Sequence, residues 1–258
     1  MHEGGEIRHR GRAKKEPVDE AGLTLYEKLF VLALHDRKGR VSYFNDMISP
    51  ILRGCILIEL HRRGRIEAVR DPEELRPRKQ KLRAVGTEKT GEGLLDETME
   101  AIYSSPPMAV SDWVKVLSKD TWTGWRKGLS LGKTRERIAK GLLEKRILDV
   151  EKTSLFVFEW HIYPLRAMKQ KAAIAEKVVK ALEKDGGAPS QEISILTCCV
   201  AAGGFFAEMV PKETASRQRE LSRKAWKYLE KTIAAQDDAQ NITIGVLTCL
   251  YKMAGEWV

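Results

Sequence analysis

The chain has 258 residues, which is enough for one large or two small domains with a full hydrophobic core. It is 43% hydrophobic and 31% charged, with a formal charge of +9, a balance that favours an anionic partner: nucleic acid, an acidic membrane surface or an acidic protein. The longest uncharged run has 15 residues, between Glu192 and Glu208, whereas a membrane-spanning helix needs about 20. The composition therefore excludes a spanning helix, and we expect any membrane contact to be peripheral.

The first 22 residues mix Gly, Arg, Lys and Glu with almost nothing to bury. This stretch predicts a disordered arm rather than a signal peptide. No clear linker divides the remainder, so residues 23–258 are interpreted as a single helical domain.

The first elements follow from helical spacing and capping residues. The stretch "LTLYEKLFVLALH" (23–35) predicts a helix with Thr24 as its N-cap. Ser49-Pro50 predicts the start of a second, core-facing helix that ends at Gly64, and "RIEAVR" after it predicts a short strand. Residues 70–92 are interpreted as a basic loop.

The rest of the chain predicts a mainly α protein with one or two small β-hairpins. Helices are expected at 93–107 and 109–119, divided by Pro106-Pro107, and at 134–146 with Thr134 as N-cap. A Gly-rich connection spans 121–133, and two strands are expected within 147–165. Four more helices are expected at about 166–184, 190–202, 212–235 and 241–256.

One pattern occurs twice. "LIELHRRGRIEAV" and "LLEKRILDVE" each combine an amphipathic helix, a basic end and a strand. This is the outline of a winged helix that binds nucleic acid, but basic helix ends also simply suit the helix dipole. The pattern alone leaves both interpretations open.

The sequence offers little for catalysis. Its five histidines are scattered, and His35-Asp36 at a helix end fits a cap or a surface pair better than a general base. No nucleotide-binding or hydrolase motif is present, and the four cysteines lack metal-ligand spacing. We therefore expect a protein that is not an enzyme, with no catalytic residues, no metal, no cofactor and cysteines that are buried thiols.

Anion binding has better support. Arg53 interrupts an apolar helix, and Gly54 beside it would let a backbone or a ligand approach closely. Arg135 lies in the first turn of the helix at 134–146, where free N–H groups favour phosphate. For each arginine, an ion pair within the chain is the alternative.

Several motifs together resemble the Golgi phosphoprotein 3 family of eukaryotes, over roughly residues 23–170. They are "LTLYEKLFVLALHDRKG", "SYFNDMISPILRGCILIELHRRGRI", "LLDE", "DWVKVLSKDTW" and "TRERIAKGLLEKRILDVEKTSLFVFEWHIYPL". The resemblance implies a mainly helical protein on the cytosolic face of Golgi membranes that exchanges with the cytosol. It further implies binding of phosphatidylinositol 4-phosphate and of the cytosolic tails of glycosyltransferases, which are carried into retrograde vesicles, and possible contact with a vesicle coat. No nucleic-acid partner is implied.

The resemblance also assigns a lipid pocket. The arginine of the family's "LRGC" motif is Arg53 here, and a second basic residue is Arg135. Two positions depart: Phe44 stands where the family has Trp, and Gly132 stands where it has Arg or Lys, with Lys133 next to it. On this interpretation the basic end of the second helix and the loop after it face an anionic leaflet.

The family's hairpin, tied to membrane contact or self-association, falls on Glu151–Ile162. Its apolar run comprises Leu155, Phe156, Val157, Phe158 and Trp160. Aromatic side chains of this kind suit a membrane interface, although the hairpin could instead pack on its own domain.

Two alternatives remain at this stage. One is a winged-helix-like nucleic-acid-binding protein, which would bind with a steep salt dependence. The other is a scaffold that binds protein tails and whose lipid pocket is degraded at Phe44 and Gly132.

Overall fold

The computed structural model describes residues 22–36, 40–41, 47–69, 71–117, 131, 133–155, 158–183, 188–235 and 241–255. Within these ranges the protein is mainly α, as predicted, with ten α-helices and three small antiparallel sheets. The predicted arm at 1–22 lies outside them except for its last residue.

The helices account for most of the described chain. They are α1 (Leu25–Ala33), α2 (Ile48–Arg62), α3 (Gly93–Tyr103), α4 (Val110–Val116), α5 (Thr134–Glu144), α6 (Met168–Leu182), α7 (Gln191–Gly203), α8 (Phe206–Met209), α9 (Ala215–Ala234) and α10 (Ile242–Gly255). A short 3₁₀ helix covers Pro77–Lys79.

The strands are short. They are β1 (Leu34–His35), β2 (Arg40–Val41), β3 (Ile66–Ala68), β4 (Lys81–Ala84), β5 (Met108–Ala109), β6 (Glu151–Leu155) and β7 (Phe158–Ile162). The sheets have the orders β1-β2, β3-β4-β5 and β6-β7, and every pairing is antiparallel.

Helix α2 lies at the centre of the core. It packs against α1, α3, α4, α7 and α10, and nearly all of its side chains are buried. Gly54 permits the contact with α10, since a Cβ at this position would lie 2.8 Å from Val246 Cγ1. The close approach predicted at Gly54 is therefore made by another helix of the same chain.

All four cysteines are buried thiols. Cys55 on α2 and Cys199 on α7 face each other, with their Sγ atoms 3.7 Å apart. Burial raises the pKa of Cys198 to about 12, so its reactive thiolate form is strongly disfavoured. These residues pack the core, as the sequence predicted.

The cap predicted for α1 is confirmed, and it is a full capping box. The Thr24 hydroxyl accepts from the backbone N–H of Glu27, and the Glu27 carboxylate accepts from the backbone N–H of Thr24 at 2.8 Å. Lys145, just after α5, also reaches this carboxylate at 2.8 Å. One buried glutamate thereby joins the start of α1 to the end of α5.

The other two predicted caps are wrong by one or two residues. Helix α2 begins at Ile48, so Ser49 lies inside its first turn, and α5 begins at Thr134, with Lys133 as its N-cap. Both hydroxyl groups make tertiary or loop contacts instead of capping. Ser49 accepts from Arg135, 86 residues away, which local spacing cannot reveal, whereas the Thr134 hydroxyl turns back to the Leu131 carbonyl three residues before it.

The repeated pattern corresponds to a repeated local structure. Helices α2 and α5 both end in a Schellman motif, with Gly64 at φ +66° and Arg146 at φ +59° in the left-handed position. The closing bonds, Arg65 N–H to the Leu60 carbonyl and Ile147 N–H to the Leu142 carbonyl, are both 2.9 Å long. An antiparallel hairpin follows each helix, β3-β4 after α2 and β6-β7 after α5.

The interpretation of residues 70–92 as a loop was wrong for β4. This strand pairs with β3 on one side and β5 on the other. It buries Leu82 between the exposed Lys81 and Arg83. A single buried residue gives no readable alternation, and the strand forms because its partners are brought in by the tertiary fold. The short strands β1, β2 and β5 and helix α8 were missed for the same reason.

Asp36 has a structural partner. The buried ammonium group of Lys171 on α6 donates to the Asp36 carboxylate and to the Leu34 carbonyl, each at 2.6 Å. Burial lowers the pKa of Lys171, and the Asp36 charge opposes this shift. The pair holds α6 to the end of β1, in line with the structural interpretation of His35-Asp36.

The basic end of α2 is largely neutralised within the chain. Arg63 pairs with Glu59 at 2.8 Å, Arg62 pairs with Glu192 at 3.4 Å, and Lys28 of α1 also pairs with Glu192. This end lies about 14 Å along the helix from Arg53. The cluster therefore links α1, α2 and α7. Its basic residues form ion pairs within the chain, which is a structural role.

Glu192 provides a test of this network. Burial raises the pKa of its carboxyl, but the Lys28 hydrogen bond and the Lys28 and Arg62 charges outweigh burial and hold the pKa below its usual value. We expect Glu192→Gln to lower the free energy of unfolding by about 1 kcal/mol at pH 7. Because a depressed carboxyl pKa contributes stability that is lost on protonation, the difference from wild type should shrink as the pH falls below about 4.5.

Chemical denaturation at several pH values measures both effects. Glu213→Gln is the matched control, since this exposed carboxylate is in no ion pair among the described residues. A Glu192→Gln difference that stays constant from pH 7 to about pH 3 would show that lost packing, not charge, is responsible.

Candidate functional site

The two arginines predicted to bind an anion lie at the same junction, although 82 positions separate them in the sequence. This junction is formed by the first half of α2 and the start of α5. Arg53 points from α2 toward the residues before α5, and Arg135 points from α5 back to α2. The fold thus brings together two guanidinium groups that the sequence alone could only pair by resemblance.

Arg53 is a buried cation on a core helix, with only 8% of the residue exposed. Its Nη2 donates to the Leu131 carbonyl at 3.4 Å. The same carbonyl accepts from the Thr134 hydroxyl at 2.6 Å, so it joins Arg53 to the first residue of α5. A charge in this position is costly to bury unless polar groups or an anion compensate it.

Arg135 reaches α2 through Ser49. Its Nε and Nη2 both donate to Ser49 Oγ, at 3.0 and 2.8 Å. Ser49 lies four positions before Arg53, so the two residues occupy the same face of α2 one turn apart. Both guanidinium groups therefore lie along one seam between α2 and α5.

The seam has the chemistry of an anion site. Two guanidinium groups offer planar forks that match phosphate oxygens. Arg135 is also in the first turn of α5, an 11-residue helix whose N-terminal N–H groups and dipole favour negative charge. What the arrangement can do is bind an oxyanion on a rigid helical framework.

Ser49 and the Leu131 carbonyl are members of this site that the sequence analysis missed. Ser49 was interpreted as a helix cap, and its position one turn before Arg53 was the only signal that could have placed it here. Nothing in the sequence marks the Leu131 carbonyl, because a backbone acceptor has no side-chain signature.

Lys133 does not join the seam. It is the left-handed N-cap of α5, with φ +53°, and its side chain is 78% exposed. Its ammonium group lies 3.8 Å from the Glu136 carboxylate. The other two pocket positions, Phe44 and Gly132, lie outside the described residues.

The predicted hairpin is present as β6 and β7. Leu155 pairs with Phe158, and Thr153 pairs with Trp160, while Phe156 and Val157 lie outside the described residues. The buried residues Leu148 and Leu165 close the base of the hairpin through an isolated bridge. Within the described chain these two strands pair only with each other, and Val150 beside them is 52% exposed.

The described residues include neither a cluster of metal ligands nor a helix that could span a membrane. No group of three or more His, Cys, Asp or Glu side chains in this part of the chain could hold a metal ion. Among the helices described above, none combines the length and the apolar character needed to cross a bilayer.

Comparison with known proteins gives a consistent result. The profile of the family described as Golgi phosphoprotein 3 (GPP34) matches residues 25–243, well beyond the stretch whose motifs carried the resemblance. One relative, vacuolar protein sorting-associated protein 74 of Eremothecium gossypii, is 37% identical over 170 residues, covering 65% of this chain and 51% of that protein.

The protein of the same name from Schizosaccharomyces pombe is 40% identical over 162 residues, covering 62% of this chain and 48% of that protein. The chain thus spans about half the length of the curated relatives it matches. The family profile covers most of the chain in a single match, so the chain belongs to the Golgi phosphoprotein 3 family.

Proposed function

We propose that the chain is a peripheral adaptor of Golgi membranes that binds the headgroup of phosphatidylinositol 4-phosphate in the seam between α2 and α5. The observation that carries this proposal is the meeting of Arg53 and Arg135 around Ser49 and the Leu131 carbonyl. Family membership and the names of the relatives, which refer to vacuolar protein sorting, support a role in Golgi trafficking.

The electrostatics of the seam support this role. Arg53 is placed by a core helix, so its guanidinium group loses little conformational freedom when an anion binds. A dianionic headgroup can compensate the buried charge of Arg53 and at the same time accept from Arg135. Both arginines contact neutral oxygen atoms, and a phosphate would be a stronger acceptor than either of these.

One headgroup contact is weak, so further membrane contacts must contribute. Each additional basic residue near an anionic leaflet is worth about 1 kcal/mol. The hairpin β6-β7 is the proposed second contact, because its apolar run and the exposed Val150 suit the interface between water and lipid. The same hairpin is the proposed site of homo-oligomer formation.

The remaining parts of the proposal come from the family. As an adaptor, the protein would hold the cytosolic tails of glycosyltransferases on the cytosolic face of the Golgi and help them into retrograde vesicles, in contact with a vesicle coat. It would exchange between this membrane face and the cytosol.

The first prediction from the proposed function concerns Arg53 and Arg135. Arg53→Met keeps most of the side-chain volume and removes the charge, so the fold should be retained while vesicle binding is lost. Arg135→Ala should lower binding to vesicles containing phosphatidylinositol 4-phosphate about tenfold, since it removes a charge-assisted contact. Flotation with and without this lipid measures both.

Lys140→Ala is the matched control, because Lys140 is an exposed cation on the same helix. Soluble inositol phosphate and inorganic phosphate serve as competitors and separate a headgroup site from a general phosphate site. If both arginine variants bind vesicles as well as wild type, the two arginines have a structural role and do not bind the lipid. A wild-type protein that shows no preference for the lipid would favour the scaffold with a degraded pocket.

The second prediction concerns Lys133. Lys133→Gly relieves a left-handed backbone that a side chain adopts at a cost, so stability should rise by about 0.5–1 kcal/mol. Because the Lys133 ammonium lies beside Glu136 and not in the seam, vesicle binding should change less than twofold. Thermal unfolding and flotation test the two parts. A loss of binding as large as that of Arg135→Ala would mean that Lys133 replaces the basic residue missing at Gly132.

The third prediction concerns the hairpin. Its register pairs Glu151 with Ile162, so residues 152–161 can be replaced by Asn-Gly, a two-residue turn that preserves this pair. We expect a folded protein that floats poorly with vesicles or has a different mass in light scattering. Leu75→Ser, at a residue that is 75% exposed, is the control for general loss of apolar surface. Unchanged flotation and mass would show that the hairpin only packs on its own chain.

A further inference from the structure

Helix α9 carries a row of exposed cations. Arg219, Arg223, Lys227 and Lys231 follow one another at four-residue spacing, and all four are exposed. Residues four apart are neighbours on a helix surface, so these side chains form one continuous row about 18 Å long.

This row points away from the body of the protein. The buried residues of α9 are Leu221, Ala225 and Leu229, each two positions after a member of the row. Two positions correspond to about 200° around a helix. The cations therefore lie diametrically opposite the face that packs on α7.

Other cations of α9 form ion pairs within the chain. Arg217 pairs with Glu220 at 3.0 Å and also with Glu183, and Lys224 pairs with Glu220 at 2.7 Å. Among the described residues, no member of the row takes part in an ion pair. Like charges at four-residue spacing destabilise a helix, so the row lowers the stability of α9. The ion pairs of Arg217 and Lys224 do not neutralise the charges of the row.

The packing of the helices separates this row from the lipid seam. Helix α9 packs on α6, α7, α8 and α10, whereas α5 packs on α1, and α1 in turn packs on α6 and α7. The row thus lies on a helix whose main packing partners include neither α2 nor α5, the two helices of the seam. The row is therefore a surface separate from the proposed lipid site, an argument that rests on the proposed function.

The surface chemistry also narrows the class of partner. Trp226, the aromatic residue nearest the middle of the row, is half-buried against Tyr251, with ring centroids 5.1 Å apart, and is not presented for stacking on bases. A straight row of cations matches a segment of Asp and Glu in charge and in shape. We infer that the α9 row binds an acidic segment of a partner protein.

Binding of a fluorescein-labelled oligoglutamate to the full chain, followed by anisotropy, tests this inference. The variant R219E/R223E/K227E should bind the peptide about tenfold more weakly than wild type. R219Q/R223Q/K227Q should lose affinity in the same direction and guards against misfolding caused by charge reversal. K115E/K140E/K169E is the matched control, with the same change in net charge at exposed residues of α4, α5 and α6, and should retain affinity within about twofold.

Two further measurements test the α9 row and the lipid seam independently of each other. Variants of the row should still float with vesicles containing phosphatidylinositol 4-phosphate, and Arg53→Met should still bind the peptide, so that either proposal can fail alone. Equal peptide affinity of the row variant and the control variant would overturn the inference. It would also be overturned if the row variants lost binding to anionic vesicles or duplex DNA while peptide binding was unchanged.

Discussion

The burial of α2 on nearly all sides is the constraint on which the rest of the structure depends. Five helices pack on it, and Gly54 allows α10 to approach where a side chain would collide with Val246. Once this helix is central, Arg53 cannot reach bulk water as an ordinary surface arginine does. Its charge must be met inside a seam between helices, and this placement holds its guanidinium group in a fixed position.

The two ends of α2 show how the same residue type serves different purposes. At the C-terminal end Arg63 pairs with Glu59 of the same helix, and Arg62 pairs with Glu192, which holds α7 to α2. In the N-terminal half Arg53 meets a backbone carbonyl. An anion can compete with a neutral acceptor such as this carbonyl more readily than with a carboxylate, which supports the proposed role of Arg53 in binding.

The seam between α2 and α5 and the row on α9 give the proposed adaptor two surfaces with different chemistry. The seam between α2 and α5 is the proposed site for one phosphate group, and the exposed, linear α9 row is the proposed site for an extended acidic segment. Binding at the seam would rest on a few contacts in fixed positions, whereas binding at the row would rest on several weak, screened contacts that add up. An adaptor can thereby engage a membrane and a cytosolic protein at once without competition between the two.

The amino-acid sequence by itself determined the helices of strong periodicity, the N-cap at Thr24, the turn at Gly64, the hairpin after α5 and, through its motifs, the family. These features depend on residues close in sequence or on motifs that survive intact. Only the tertiary structure decided that Ser49 and the Leu131 carbonyl complete the seam, that β4 pairs within residues 70–92, and that Lys133 turns away to Glu136. The seam contacts and the strand pairing depend on partners far along the chain, and contacts of that kind leave no period in the local sequence. Lys133 and Glu136 are only three residues apart, and their contact is decided by side-chain geometry that the sequence pattern does not show.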